Sequence, residues 1–450
     1  MNLILAFIQL IFIIIILLYE YKNGSSVIFL WATLLIIFGL PHFMSVITGL
    51  LIFPEYVYIK ASFFVILFNL IYLFTRFIFI RIFNAENTFE SLKFDLENKT
   101  ILFKEKKEPG RLLFLLCFFF LISIVFFTKE YGSLLHTSWG QLYGNSMSAY
   151  SLGFNLESIR YFTKYILFAT GGLFLLYFYQ KQMLKSMIVA GIIIMLSIIT
   201  RDRITILPII IPFILIFLMK NPKINFKKVL QLTIVGFIVI YIIYALRLFR
   251  HYGEITNFIN TFDFFEFNNK LFNMLLNDDG ELGLRNVFLN FIDNNNDFMN
   301  FNQGHTYIRL LLIAIPTSFS FGFKPPDFAI SMGSAELGNT YNTTFSTHPT
   351  LYGDVFANLY WFGILLAIFW ALYATVVDKL LNRKSLVLKS NLIVIFSCVY
   401  VIIGRGSVYN GVYFALVSSI ILLVLYIIFH IIPIIRLKKS TVKNNYNGVS

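Results

Sequence analysis

Apolar residues run through this chain in long stretches, and the polar positions between them fall at spacings that predict membrane-crossing helices. Runs of spanning or near-spanning length lie near residues 2–19, 27–51, 58–80, 112–127, 165–179, 186–200, 204–219, 229–248, 352–375, 390–404 and 408–430. They predict an all-α polytopic membrane protein with about eleven transmembrane helices, between ten and twelve. Between the eighth and ninth runs the pattern changes, and residues 251–351 hold no segment long enough to cross. The expected organisation is one transmembrane domain over 1–436, with a segment at 84–111, a loop at 128–164, a large loop at 251–351 and a basic tail at 437–450.

The polar segments carry their own signals. In 84–111, Phe94 and Leu96, then Ile101 and Phe103, alternate around Asn98-Lys99, which predicts a small hairpin in a solvated connector. Residues 256–276 mix Phe with Asn and acids and predict amphipathic helices at the membrane interface, while 290–302 is a turn-prone run rich in Asn. The stretch 305–316 is apolar but too short to span, and predicts a re-entrant or interfacial helix ending at Pro316. Phe321-Gly322-Phe323-Lys324-Pro325-Pro326 predicts an extended turn, and 331–346 a loop of small residues, Asn and Thr. No period marks internal repeats.

Composition excludes a soluble protein: 58% of the 450 residues are hydrophobic and 13% are charged. Charge then sets an orientation. One set of alternate loops carries a net +14 and the opposite set −2, so the basic side is expected to be cytoplasmic, the amino terminus outside and the carboxyl terminus inside. That places both 128–164 and 251–351 outside. The overall +13 is thereby accounted for by topology and anionic lipid headgroups, and no nucleic-acid partner is expected. The first helix lacks a basic start and a small-residue cleavage site, and reads as retained. Cys117 and Cys398 lie inside predicted spans and indicate neither a disulfide framework nor a zinc site.

Arginines recur at the expected outer ends of helices. Thr200-Arg201-Asp202-Arg203 connects two runs of only about 15 apolar residues, which cover roughly 22–24 Å of an approximately 30 Å core. Arg201 and Arg203 are then recessed, although Asp202 neutralising an arginine at a helix end is an equal alternative. Gly404-Arg405-Gly406-Ser407 repeats the pattern, with glycines that let a ligand approach closely. Tyr244, Arg247, Arg250 and His251 share one helix face, where completion of the helix dipole is a sufficient alternative to function. Arg309 stands alone in the short apolar segment.

The most specific phrase runs from His348-Pro349-Thr350 through Gly353-Asp354 to Phe362-Gly363. Thr350, Asp354 and Asn358 recur every four residues and predict a polar stripe facing a cavity on the outer half of a hydrophobic helix. His348, just before that helix, has the chemistry of a base near neutral pH. The alternative is that Asp354 satisfies the helix amino end and His348 packs against neighbouring rings.

On these phrases, on Arg201–Arg203 and on the late outer loop, the chain resembles the Wzy-type O-antigen or oligosaccharide repeat-unit polymerases of bacterial inner membranes. Many members of that family carry Glu where Asp354 stands. The resemblance implies a multi-pass protein of the cytoplasmic membrane whose outward-facing site polymerises undecaprenyl-diphosphate-linked oligosaccharides into surface polysaccharide. It implies catalytic roles for His348, Asp354 and Arg405, and diphosphate binding by Arg201, Arg203, Arg247, Arg250, Arg309 and Arg405. Neither a cofactor nor a metal is expected, because arginines supply the positive charge. Membrane lipid, a chain-length regulator and a flippase are the implied partners. Alternatives are a flippase of lipid-linked oligosaccharide, an O-antigen ligase, and a metal-dependent lipid-sugar transferase, for which 52–59 offers only Glu55.

Overall fold

The computed structural model describes residues 1–98, 107–131, 156–200, 203–220, scattered positions from 231 to 248, 255–276, 283–298, 305–315, 319–325, 328–336, 347–382, 385–406 and 408–431. Every regular element among them is helical: α1 (Asn2–Asn23), α2 (Ile28–Thr48), α3 (Glu55–Phe83), α4 (Thr88–Glu97), α5 (Lys107–Tyr131), α6 (Leu156–Thr170), α7 (Gly172–Tyr179), α8 (Met183–Thr200) and α9 (Leu207–Lys220). There follow α10 (Ile255–Thr261), α11 (Phe264–Leu276), α12 (Leu284–Asp293), α13 (His305–Leu311), α14 (Phe328–Glu336), α15 (Thr350–Leu359), α16 (Leu366–Asn382), α17 (Leu386–Gly404) and α18 (Val408–Tyr426). Eight helical stretches among the described residues are long and apolar enough to cross a membrane by length and composition, when Thr350–Asn382 is taken as one, and two shorter apolar ones accompany them. The run at 229–248 lies mostly outside the described residues.

α1 is built inside-out. Its Asn2, Gln9 and Glu20 are buried, whereas Leu3, Ile4, Phe7 and Ile15 are exposed. Water would reverse that arrangement; a hydrocarbon solvent favours it, because polar groups then find partners only within the protein. α2 contains a π-helical turn at Leu35–Gly39, just before Pro41. Proline has no N–H to give and its ring crowds the preceding turn, so the widened turn absorbs it without ending the helix.

Two compact units divide the described contacts: Met1–Phe89 with Asn268–Arg383 and Phe396–Ala415, and Glu90–Phe267 with Lys384–Ile395 and Leu416–Ser450. In the second, Lys389 pairs with Asp95 and also donates to Ser91 at 2.9 Å, and Asn391 accepts the Gly172 N–H at 3.0 Å. An added Cβ at Gly172 would lie 2.4 Å from the Ser390 carbonyl oxygen, so only glycine permits that approach.

The first unit is organised around α3, and its contacts fix the direction of the chain that follows. Phe64 meets Phe356 at 5.3 Å and Trp361 at 5.7 Å, Phe68 meets Tyr352 at 5.5 Å, and Asn69 accepts the Tyr352 hydroxyl at 2.9 Å. Further along, Arg76 donates to Thr375 at 2.7 Å and to Asp378 at 2.5 Å. From Tyr352 to Trp361 the chain therefore runs against α3, and from Trp361 to Asp378 it runs with it. The expected single helix over 352–375 is instead a helical hairpin. It reverses at Tyr360, whose φ of 53° and ψ of −138° end α15, and a 3-10 turn at Tyr360–Leu365 leads into α16. Gly363 makes the turn possible, because an added Cβ would lie 2.3 Å from the Val355 carbonyl oxygen. Asn296 donates to the Phe356 and Ala357 carbonyls at 3.0 and 3.3 Å, satisfying groups that a continuing helix would have used.

Other expectations also change. The hairpin arm at Phe94 and Leu96 is part of α4, where Phe89, Leu92 and Leu96 are buried at helical spacing and Phe94 is exposed; Ile101 and Phe103 lie outside the described residues. The start of the expected 331–346 loop belongs to α14, whose Phe328 and Met332 are buried one turn apart. Packing there overrides the poor helix propensity of Ser and Gly. α13 ends at Leu311, short of Pro316, because Leu310 and Leu312 carbonyls take tight-turn bonds from Ile313 and Ile315. α12 includes the first part of the expected turn-prone run, with reversal delayed to Asn295 and Asn296 at positive φ. α5 continues to Tyr131 and α6 begins at Leu156, both inside the expected 128–164 loop.

Three spans are joined by a buried ion cluster in the first unit. Arg76 Nε and Nη2 donate to the Glu20 carboxylate at 2.9 and 3.0 Å, and Nη2 also reaches Asp378 and, at 3.1 Å, Ser25. Tyr72 donates to Glu20 at 2.9 Å and Ser25 to Asp378 at 2.9 Å. These ties hold α1, α3 and α16 together, with one guanidinium shared between two carboxylates and hydroxyl donors from Tyr72 and Ser25 completing the cluster.

Candidate functional site

The two phrases singled out in the sequence, His348-Pro349-Thr350 and Gly404-Arg405-Gly406, meet. The Thr350 N–H donates to the Arg405 carbonyl at 3.2 Å. Gly406, at φ 88°, lies so close that an added Cβ would stand 2.6 Å from the Thr350 nitrogen and 2.8 Å from Pro349 Cδ. Thr350 itself has φ 65°, a conformation that a β-branched residue enters only under constraint. His348 precedes this contact and is half-buried; the Thr347 N–H donates to the Ala329 carbonyl at 3.0 Å and fixes the approach.

Gly406→Ala is expected to destabilise the protein by about 1–3 kcal/mol, through strain and the closed approach together. Its thermal midpoint in detergent should fall, whereas Gly49→Ala, at φ 71° with nothing within 4 Å of an added Cβ, should fall less.

The site is recessed along α3. Tyr352, two residues after Thr350, bonds Asn69, the middle residue of that 29-residue helix. α15 then rises over ten residues, about 15 Å, to the turn at Tyr360. Its polar stripe of Thr350, Asp354 and Asn358 is buried within the protein. The Asp354 carboxylate accepts Thr306 Oγ1 at 3.1 Å, and Asn358 Oδ1 accepts the Thr306 N–H at 2.9 Å. The stripe therefore docks α13 onto α15.

α13 presents Arg309 to a second feature that the sequence reading passed over. The Arg309 guanidinium lies 4.4 Å from the ring centre of Tyr409, and the Lys324 ammonium lies 5.8 Å from the same ring. Arg309 Nη1 donates to the Pro325 carbonyl at 2.5 Å, and Lys324 donates to the Ile315 carbonyl at 2.7 Å. Among the described residues neither cation pairs with a carboxylate, and Arg309 Nε is buried without a hydrogen-bond partner. Tyr409 is the second residue of α18, three positions after Gly406 in the chain. Two cations on one ring repel each other, and an anion relieves that repulsion. The sequence carried a weak sign of Lys324, a lone cation in an aromatic-proline turn, and none of Tyr409 within an apolar run.

Burial, and then the adjacent Asp354 carboxylate, pushes the Tyr307 phenol well above its usual range. Tyr307 thus stays neutral near physiological pH.

Four sequence-selected residues, His348, Asp354, Arg309 and Arg405, fall in this one unit. Arg201, Arg247 and Arg250 lie outside the described residues, as does the Arg203 side chain, whose backbone opens the 3-10 turn Arg203–Ile206. A groove of about 710 Å³ on α5, lined by Arg111, Phe114, Phe118 and Phe429, contains none of the selected residues. Among the described residues no group of three or more His, Cys, Asp or Glu gathers as a metal site would. Comparison with known proteins matches no family model to this chain, and no curated protein or solved structure is similar to it.

Proposed function

We propose that this protein is a glycosyltransferase of the bacterial cytoplasmic membrane that lengthens undecaprenyl-diphosphate-linked oligosaccharides at the outer face. The meeting of His348-Pro349-Thr350 with Arg405-Gly406 under backbone strain is the observation that carries the reading. Strain of this kind persists where the surroundings impose it, and functional sites are where it collects. The Arg309–Lys324 pair on the Tyr409 ring, with Arg309 carried by a helix that Thr306 docks onto α15, supplies charge suited to a diphosphate.

In this mechanism His348 takes the proton of an acceptor sugar hydroxyl. The hydroxyl oxygen bonds to the anomeric carbon of the growing glycan as the carbon–oxygen bond to the lipid diphosphate breaks. Arg405, Arg309 and Lys324 stabilise the departing diphosphate. Asp354 acts as a positioning residue, because it holds Thr306 one turn before Arg309. Membrane lipid, a flippase that delivers the repeat unit and a chain-length regulator fit as partners.

Purified protein given a lipid-linked repeat unit should produce a ladder of longer glycans on a gel; bound substrate that never lengthens would remove the polymerase reading. One observation favours a transporter instead: transport folds often place their sites at discontinuous helices, and the chain reverses at Tyr360 inside an apolar stretch. Transfer of labelled substrate across vesicles without lengthening would support that second reading.

A further inference from the structure

At the other end of α15 from His348, a patch forms whose chemistry differs from that of the basic recess. It gathers Tyr56 at the start of α3, Asp293, Asn294 and Asn295 after α12, and Tyr360 and Trp361 at the helix reversal. Tyr56 donates to Asp293, and the Tyr360 hydroxyl donates to Asn295 Oδ1 at 3.3 Å. Asn294 Nδ2 donates to the Asn290 carbonyl and side-chain oxygens, both at 2.9 Å. These bonds leave Asn294 Oδ1, Asn295 Nδ2 and the second Asp293 oxygen uncommitted among the described residues. Tyr56 is 46% exposed, and Asn294 and Asn295 are exposed beside it.

The patch is also rigid. Asn295 and Asn296 both have positive φ, and Asn296 anchors the turn on the carbonyls at the end of α15. Trp361 is set edge-on to Phe64 at 5.7 Å and to Tyr360 at 6.3 Å. Side chains held in this way bind with little ordering cost.

We infer that this patch is a binding surface for a neutral oligosaccharide. Amide and carboxylate groups with both donors and acceptors to spare match neighbouring hydroxyls, and aromatic faces match the C–H faces of sugar rings. Its charges argue against a polyanion: Asp293 and Asp297 outweigh Lys60, whose ammonium lies 5.1 Å from the Tyr56 ring. A nonpolar partner would leave the uncommitted polar groups unsatisfied. The inference stands on these exposed side chains and does not rest on the transfer chemistry proposed above.

The test uses the full chain in detergent and saturation-transfer NMR with chitotetraose and maltotetraose, with a heparin tetrasaccharide as the anionic control. At least one neutral sugar should receive magnetisation, and Tyr56→Leu together with Asn295→Gly should weaken its binding at least tenfold. Glycine keeps the positive φ, so that change removes the amide without straining the turn; an unchanged melting profile of the doubly substituted chain checks the fold. No transfer to either neutral sugar, preference for heparin, or binding indifferent to the two substitutions would each overturn the surface. Binding here without any lengthening of lipid-linked glycan retains the surface and removes the polymerase. Lengthening that ignores both substitutions does the reverse.

Discussion

Arg405→Gln is expected to reduce the rate of glycan lengthening by about 10²–10³, while the protein remains in the membrane at its usual level. A guanidinium that stabilises the departing diphosphate contributes roughly 2.7–4 kcal/mol in the transition state, and that interval corresponds to the stated loss. Glutamine removes the charge and keeps a hydrogen-bonding amide on a shorter side chain, and the backbone contact with Thr350 uses the Arg405 carbonyl, which the substitution leaves in place. His348→Ala should cause a comparable loss by removing the base. Initial rates with saturating lipid-linked repeat unit provide the measurement. Rates within threefold of the parent in both variants would remove this site from the mechanism.

Arg76→Met is expected to cost about 3–5 kcal/mol of stability, the largest structural effect of any single change considered. The substitution leaves Glu20 and Asp378 buried in a shared site with no cation between them, although their hydroxyl donors Tyr72 and Ser25 remain. Thermal unfolding in detergent should show the loss directly. Adding Glu20→Gln and Asp378→Asn to Arg76→Met should recover a substantial part of it, because the uncompensated charges are removed with their partner. A midpoint for Arg76→Met equal to that of the parent would mean that the cluster contributes nothing to the packing of α1, α3 and α16.

The sequence revealed the helices because hydrocarbon-facing residues write their pattern locally. It also singled out His348-Pro349-Thr350 and Gly404-Arg405-Gly406, since ionisable groups and glycines stand out within apolar runs. It did not reveal that they touch, for that contact joins positions far apart in the chain. The Arg76 cluster was hidden for the same reason: a single charge within the apolar run 58–80 does not show that its partners lie on two other helices. Direction was lost as well. A continuous apolar run reads the same whether the chain crosses once or turns back, and the reversal at Tyr360 depends on a backbone angle and on Gly363. At α4 and α14 local composition misled, because buried residues at helical spacing outweighed turn-forming neighbours.

On the proposed reading, the reversal at Tyr360 would also act as a gauge of length. The recessed turn at Thr350 and the surface turn are separated by the rise of α15, about 15 Å, so a molecule with its charged end in the recess needs several linked units before its far end emerges. A single sugar would remain wholly inside. Selection by reach in this way would distinguish a finished repeat unit from its unfinished precursors without any side chain having to read the sugars themselves.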